Sequence, residues 1–329
     1  MYTIKNTDYG SYKFVNFYHF LDFFMRIGTN NLMLNKITSQ YLSHLKINKK
    51  REVVNPDIDI SLGLNHKPIK IPLTFKKIEE ISNQSGLFQY YKRGDNLICL
   101  RNDHSFIMGE PKNGKFSIFF SRLDYSMPFF INSIVLTLKF KGLFPLHSVL
   151  LSKNNIGFLL AGESGSGKTT LAKNLIKHNF IYLCDDICFL YRLNSRGVGV
   201  FVLLPAALKN YYFSRHNFNR CKNAPSDTLV INKNRFSPKI IIFTKLTHRK
   251  VGRLIPISNN DAMVRLISLS QLIWMEEKRM VVEHIQLLKD LSNQCLCFEL
   301  LAGSDAEETS NMLAEALQEL INEQSAKNT

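Results

Sequence analysis

Gly162, Glu163, Ser164, Gly165, Ser166, Gly167, Lys168 and Thr169 spell G-x-x-x-x-G-K-[ST], with Thr170 next in line. An apolar run, GFLLA, leads into them and a helix-competent stretch, TTLAKNLIKH, leads out. In that setting the glycines let backbone N–H groups curl around phosphate oxygens, and the helix N-terminus adds partial positive charge. Lys168 would reach the β- and γ-phosphates, and the Thr169 hydroxyl would ligate Mg²⁺. A purine nucleoside triphosphate, ATP above all, is the expected ligand. Asp185 and Asp186 follow 17 and 18 positions after Lys168, a separation that one helix, a turn and a strand fill. Two carboxylates beside a phosphate loop can divide labour: one holds Mg²⁺, the other takes the proton of an attacking hydroxyl. His147 lies 21 positions before Lys168 on the preceding apolar run. It suits either a core position or a catalytic, phosphate-orienting one.

These residues need elements to hold them. His147 to Leu151 and Gly157 to Ala161 read as two strands around the turn Lys153-Asn154-Asn155. The spacing predicts a helix over Thr169 to His178, a strand over Ile181 to Cys184 and another over Lys239 to Phe243. A helix over Asp261 to Met275, a strand over Cys297 to Leu301 and a helix over Asp305 to Asn322 complete an alternating α/β pattern. Trp274 falls on the helical pattern of Leu266, Ile267, Leu269, Leu272 and Ile273 and reads as core. Upstream, short apolar runs broken by Asn, Gly and Pro suit a small α+β domain, with a strand at Lys115 to Phe120 and a helix at Phe129 to Leu138. The expected division is 1–120, a small N-terminal α+β domain open to substrate or partner binding, and 121–329, the P-loop catalytic domain.

Composition bounds the function classes. At about 150 residues per domain, 329 residues make two. Hydrophobic residues at 45% and charged ones at 21% exclude disordered, collagen-like and coiled-coil chains. The longest apolar run, Met127 to Leu138, is broken by Pro128 and Asn132, so no membrane helix is expected. The start, MYTIKNTDYG, lacks the features of a signal peptide, which points to a cytoplasmic protein. Cys99, Cys184, Cys188, Cys221, Cys295 and Cys297 form no C-x-x-C pair and no complete ligand set, and read as buried thiols rather than a zinc site. The net charge of +15 peaks in the cluster Lys46, Lys49, Lys50, Arg51, which suits an acidic peptide as well as plain solubility. No zinc finger, helix-turn-helix or ribonucleoprotein motif speaks for nucleic acid.

The histidine segment Leu146 to Leu150, the loop GESGSGKTTLAKNLIKHNF and the segment Tyr182 to Asp186 together resemble the C-terminal catalytic domain of the HPr kinase/phosphorylase family. The resemblance implies a P-loop fold related to phosphoenolpyruvate carboxykinase. It implies His147 as the active-site histidine, Lys168 on phosphate, Thr169 on Mg²⁺, Asp186 as the base that deprotonates a substrate serine, and Asp185 as its partner at the metal. The family assembles as higher oligomers, which leaves homo-oligomerisation open here. The chain departs from the family downstream, where no Asp or Glu occurs between Asp186 and Asp227, so a further acidic metal ligand must come from elsewhere or be missing. The chain looks more like the family's divergent relatives found beside peptide-modification genes, including kinases that phosphorylate the C-terminal serine of lasso-peptide precursors. The expected function is a Mg·ATP-dependent serine kinase acting on a peptide or protein. Two readings stand beside it: a small-metabolite kinase, and a nucleotide-binding regulatory ATPase with no phosphoryl acceptor.

Overall fold

The computed structural model describes residues 12–47, 56–83, 86–123, 126–185, 187–193, 197–203, 235–270 and 278–326. The chain forms two compact units, Met1–Lys141 and Gly142–Thr329.

The first unit is built on an eight-stranded sheet. Its strands are β1 (Phe14–Phe20), β2 (Phe23–Thr29), β3 (Ile58–Leu64), β4 (Lys76–Asn83), β5 (Gly86–Arg93), β6 (Asn96–Arg101), β7 (Phe106–Glu110) and β8 (Lys115–Phe120), in the order β1-β2-β3-β8-β7-β6-β5-β4. β2, β3 and β8 run parallel and the rest pair antiparallel. Helix α1 (Leu32–Tyr41) is capped by Asn31, whose side chain accepts from the backbone N–H groups of Met33 and Leu34. The parallel pairing of β2 with β3 sets Arg26 opposite Asp59, and the two side chains form an ion pair. Helix α2 (Ser126–Phe140) packs against β8. The sequence boundary at 120/121 and the contact division at 141/142 therefore differ by α2, which clusters with the first unit.

The second unit carries the predicted phosphate loop. Its nine-stranded sheet comprises β9 (Phe144–Lys153), β10 (Ile156–Ala161), β11 (Ile181–Cys184), β12 (Ile187–Leu193), β13 (Gly197–Phe201), β14 (Arg235–Phe236), β15 (Pro238–Leu246), β16 (Arg253–Pro256) and β17 (Leu296–Ala302). The path is β14-β13-β12-β9-β10-β15-β17-β16, with β11 also paired to β9. β9 and β10 are the expected antiparallel hairpin, with Asn154 and Asn155 at positive φ in its turn. β10, β15 and β17 run parallel.

Strand alternation fixes a three-layer arrangement. Leu159, Ala161, Ile241 and Phe243 face one side, where Ala262 and Leu266 of α4 (Asn259–Ser268) and Leu287, Leu288 and Leu291 of α5 (Lys278–Gln294) cover them. Phe158, Leu160, Ile240 and Ile242 face the other side. There they meet Leu171 and Leu175 of α3 (Lys168–Leu175) and Leu313, Leu317 and Ile321 of α6 (Ala306–Ala326). Continuous apolar strands buried on both faces are what such a sandwich requires.

The expected helix over Thr169 to His178 begins at Lys168, tightens to a 3₁₀ turn over Ile176–His178 and stops at Asn179, which takes a left-handed conformation. The helix expected over Asp261 to Met275 runs over Asn259–Ser268, after which Ser270 bridges to Leu146. Leu272, Ile273 and Trp274 lie outside the described residues, as do Lys49, Lys50 and Arg51 of the basic cluster. Cys99, Cys184, Cys188, Cys295 and Cys297 are buried thiols outside any disulfide, and Cys221 lies outside the described residues. Among the described residues, no helix is long and apolar enough to cross a membrane.

Candidate functional site

β10 ends at Ala161 in the middle of the sheet, and the loop that leaves it must turn at once to start α3. Gly162 makes that turn at φ 152°, where a Cβ would come within 2.7 Å of Ser166 Oγ and of the Thr244 carbonyl oxygen. Gly165 and Gly167 also take positive φ, 83° and 87°. Glycine meets these conformations at little cost. Gly165 has open space around the missing Cβ, the side from which a ligand can approach the backbone. Ser166 is buried and shares a 2.8 Å hydrogen bond with Thr244 Oγ1, which ties the loop to the neighbouring parallel strand β15. Thr244 Oγ1 also donates to the Ala161 carbonyl at 3.3 Å. Sequence reasoning missed Thr244: a threonine near the end of a buried strand carries no signal of its own.

Gly167 is the N-cap of α3 and supplies no side-chain acceptor, so the N–H groups of the first turn are left for an anion. Lys168 is buried, and its Nζ donates to the Gly162 and Glu163 carbonyl oxygens at 2.7 Å each. Its cation thus sits on the loop that would wrap the phosphates. Glu163, Ser164 and Thr170 are exposed.

The metal candidates meet. Thr169 Oγ1 donates to Asp185 Oδ1 at 3.1 Å. A hydroxyl and a carboxylate make a hard-oxygen pair that fits Mg²⁺, which takes few protein ligands and keeps several waters. Asp185 sits between β11 and β12, which pair along the same side of β9. That pairing sets Ile187 opposite His147, while Ala161 lies opposite Ser148 on the other side of β9. The start of the phosphate loop, His147 and the β11–β12 connection therefore share one level of the sheet. His147 is half-buried. Asp186, the expected base, lies outside the described residues.

On the opposite flank of the loop a cleft of about 490 Å³ opens between Gly162–Ser166, the C-terminal part of β15, the middle of β17 and the C-terminal end of α4. Phe243, Lys245, Leu246, Arg265, Leu269 and Glu299 contribute to its walls. Arg265 Nη1 donates to Glu299 Oε1 at 2.7 Å, and the guanidinium carbon lies 5.6 Å from the centre of the Phe243 ring.

No protein-family model matches the chain. Among curated proteins it is 34% identical over 85 residues to HPr kinase/phosphorylase of Mycoplasma pneumoniae, covering 26% of each chain. HPr kinase/phosphorylase of Mycoplasma genitalium matches with the same identity, length and coverage. The chain thus spans about a quarter of the length of the curated relatives it matches. Among solved structures, the Hpr(Ser) kinase/phosphatase from Coxiella burnetii aligns at 19% identity and a TM-score of 0.22, covering 32% of this chain and 65% of that one. The resemblance to HPr kinase/phosphorylase read from the motifs is thus supported by sequence similarity to two such proteins.

Proposed function

We propose that this chain is a Mg·ATP-dependent kinase that transfers the γ-phosphoryl group to a serine hydroxyl of a peptide or protein. The observation that carries the reading is the Thr169–Asp185 contact at the mouth of a glycine-turned phosphate loop. It joins a phosphate cradle to a pair of Mg²⁺-competent oxygens. The similarity to HPr kinase/phosphorylase supports the same chemistry.

In this reading the loop amides and the α3 N-terminus hold the triphosphate, and Lys168 neutralises charge on the β- and γ-phosphates. Thr169 and Asp185 would hold Mg²⁺, which would supply charge withdrawal from the phosphate oxygens. Asp186 accepts the proton of the serine hydroxyl as its oxygen bonds to the γ-phosphorus, and the bond from that phosphorus to the bridging oxygen breaks, releasing ADP. His147, level with the loop in the sheet, orients the transferred group. The second unit is the P-loop kinase domain, of the phosphoenolpyruvate carboxykinase-related kind. A serine-bearing ribosomal precursor peptide of the lasso type is the acceptor we favour, and the basic character of the chain suits an acidic leader.

Intact-mass spectrometry of serine-bearing peptides incubated with the protein and Mg·ATP tests the reading. A gain of about 80 Da, one phosphoryl group, that disappears with Asp186→Asn supports it. ATP binding or hydrolysis without any gain on a peptide overturns the acceptor and favours a metabolite kinase or a regulatory ATPase.

A further inference from the structure

The cleft on the β15–β17 flank has a chemistry that the phosphates do not call for. Phosphate oxygens ask for hydrogen-bond donors, which the loop N–H groups and the Lys168 ammonium provide. Arg265 is different, because Glu299 already neutralises it at 2.7 Å. A carboxylate at that position repels phosphate. The same pair, set among Phe243, Leu246 and Leu269, makes a partly apolar wall with a flat cation.

Position agrees with chemistry. β10 lies between β9 and β15 in the sheet. The metal candidates Thr169 and Asp185 approach from the β9–β11 side, so the reacting end of a triphosphate belongs there. A triphosphate that crosses the loop leaves its other end on the β15–β17 side, at the mouth of the 490 Å³ cleft. That space is of the size small-ligand sites use.

We infer that this cleft is the nucleoside subsite, in which the Arg265 guanidinium, backed by the Phe243 ring and held by Glu299, stacks on a purine base. The inference rests on the reading of the loop as a nucleotide site and assigns what holds the base. Arg265 stays 37% exposed at its side chain, which leaves the guanidinium reachable from the cleft. Arginine suits the task because its planar, weakly hydrated cation stacks on π faces where lysine does not. Glu299 is a positioning residue that fixes the plane of the guanidinium.

Calorimetric titration of the protein with Mg·ATP and with Mg·tripolyphosphate tests the inference. Wild type is expected to bind Mg·ATP at least about tenfold more tightly than Mg·tripolyphosphate, the worth of one well-placed cation–π contact. Arg265→Ala is expected to erase that difference by weakening Mg·ATP alone, and Arg265→Lys to restore little of it. Glu299→Gln, which preserves shape, is expected to weaken Mg·ATP part-way and leave Mg·tripolyphosphate unchanged. Equal wild-type affinities for the two ligands overturn the subsite without any variant, as does an Arg265→Ala protein that loses both ligands together or neither. Failure of wild type to bind either ligand overturns the nucleotide reading itself, a result distinct from the others.

Discussion

Thr169 Oγ1 donates to Asp185 Oδ1 at 3.1 Å, joining the first turn of α3 to the connection that follows β11. The contact orients both oxygens before any cation arrives. Thr169→Val removes the hydroxyl at nearly constant volume and takes one donor from the Asp185 carboxylate. A hydrogen bond to a charged group is worth about 1.5–3 kcal/mol, so the Mg²⁺ concentration needed for half-maximal turnover should rise by roughly 10- to 100-fold. Thr169→Ser should return it close to wild type. A Mg²⁺ dependence unchanged in the valine variant removes Thr169 from the metal site.

Lys168 spends its charge on the Gly162 and Glu163 carbonyls, both at 2.7 Å. A bound triphosphate must compete for that ammonium, so the lysine couples loop shape to ligand. Lys168→Met keeps the stem and removes the charge. Unfolding stability without nucleotide should fall by about 1–3 kcal/mol, because carbonyls lose a charged donor. Mg·ATP turnover should drop by roughly 100-fold or more, since the developing phosphoryl charge loses its cation. A thermal melt separates the two effects, and full turnover in the variant discards the assignment.

Gly162 and Gly165 both take positive φ, yet they predict different outcomes. A Cβ at Gly162 meets Ser166 Oγ and the Thr244 carbonyl oxygen at 2.7 Å, whereas nothing lies within 4 Å of one at Gly165. Gly162→Ala should therefore cost about 1–3 kcal/mol in a denaturant melt. Gly165→Ala should cost only about 1 kcal/mol of backbone strain. Calorimetry should find nucleotide binding impaired in both, in the second because the methyl group stands on the ligand's side. Equal stabilities for the two variants contradict the crowding at Gly162.

How far this architecture was legible depends on whether a signal was local. β8 and β11 fall on the predicted bounds because each is a short, mostly apolar run stopped by a polar residue, Lys115 to Phe120 by Ser121 and Ile181 to Cys184 by Asp185. The β9–β10 hairpin was legible from Lys153-Asn154-Asn155, a turn between two runs. α5 was not, because its buried stripe of His284, Leu287, Leu288 and Leu291 is diluted by charged residues and gains meaning only against the sheet. The eight-stranded sheet was legible only as a mixture of elements, since β3 pairs with β8 across more than fifty residues. At the site, glycine chemistry and carboxylate spacing were local and readable. The Arg265–Glu299 pair spans 34 residues and exists only once α4 lies over β17, so Arg265 was one arginine among several.

The thiols offer a prediction independent of the phosphate site. Burial pushes Cys99 and Cys188 up to about 12 and Cys297 up to about 11, and it pushes Cys295 up as well. The reactive species is the thiolate, so burial denies these groups both charge and access. In a Cys221→Ser protein, a disulfide-exchange reagent at pH 8 should leave Cys99, Cys184, Cys188, Cys295 and Cys297 unmodified for hours and label all five in denaturant. The same shifts set a direction with pH. Their folded values lie above the ordinary 9 of a free thiol, so the unfolded chain releases protons first as pH rises. The stability contribution of the neutral thiols is therefore complete below pH 9 and is lost as pH climbs toward 11 and 12. Denaturant midpoints measured from pH 7 to 10.5 should hold until the pH nears 9 and then decline. Serine at Cys188 should reduce the slope of that decline. A slope unchanged by the substitution assigns the loss to other groups.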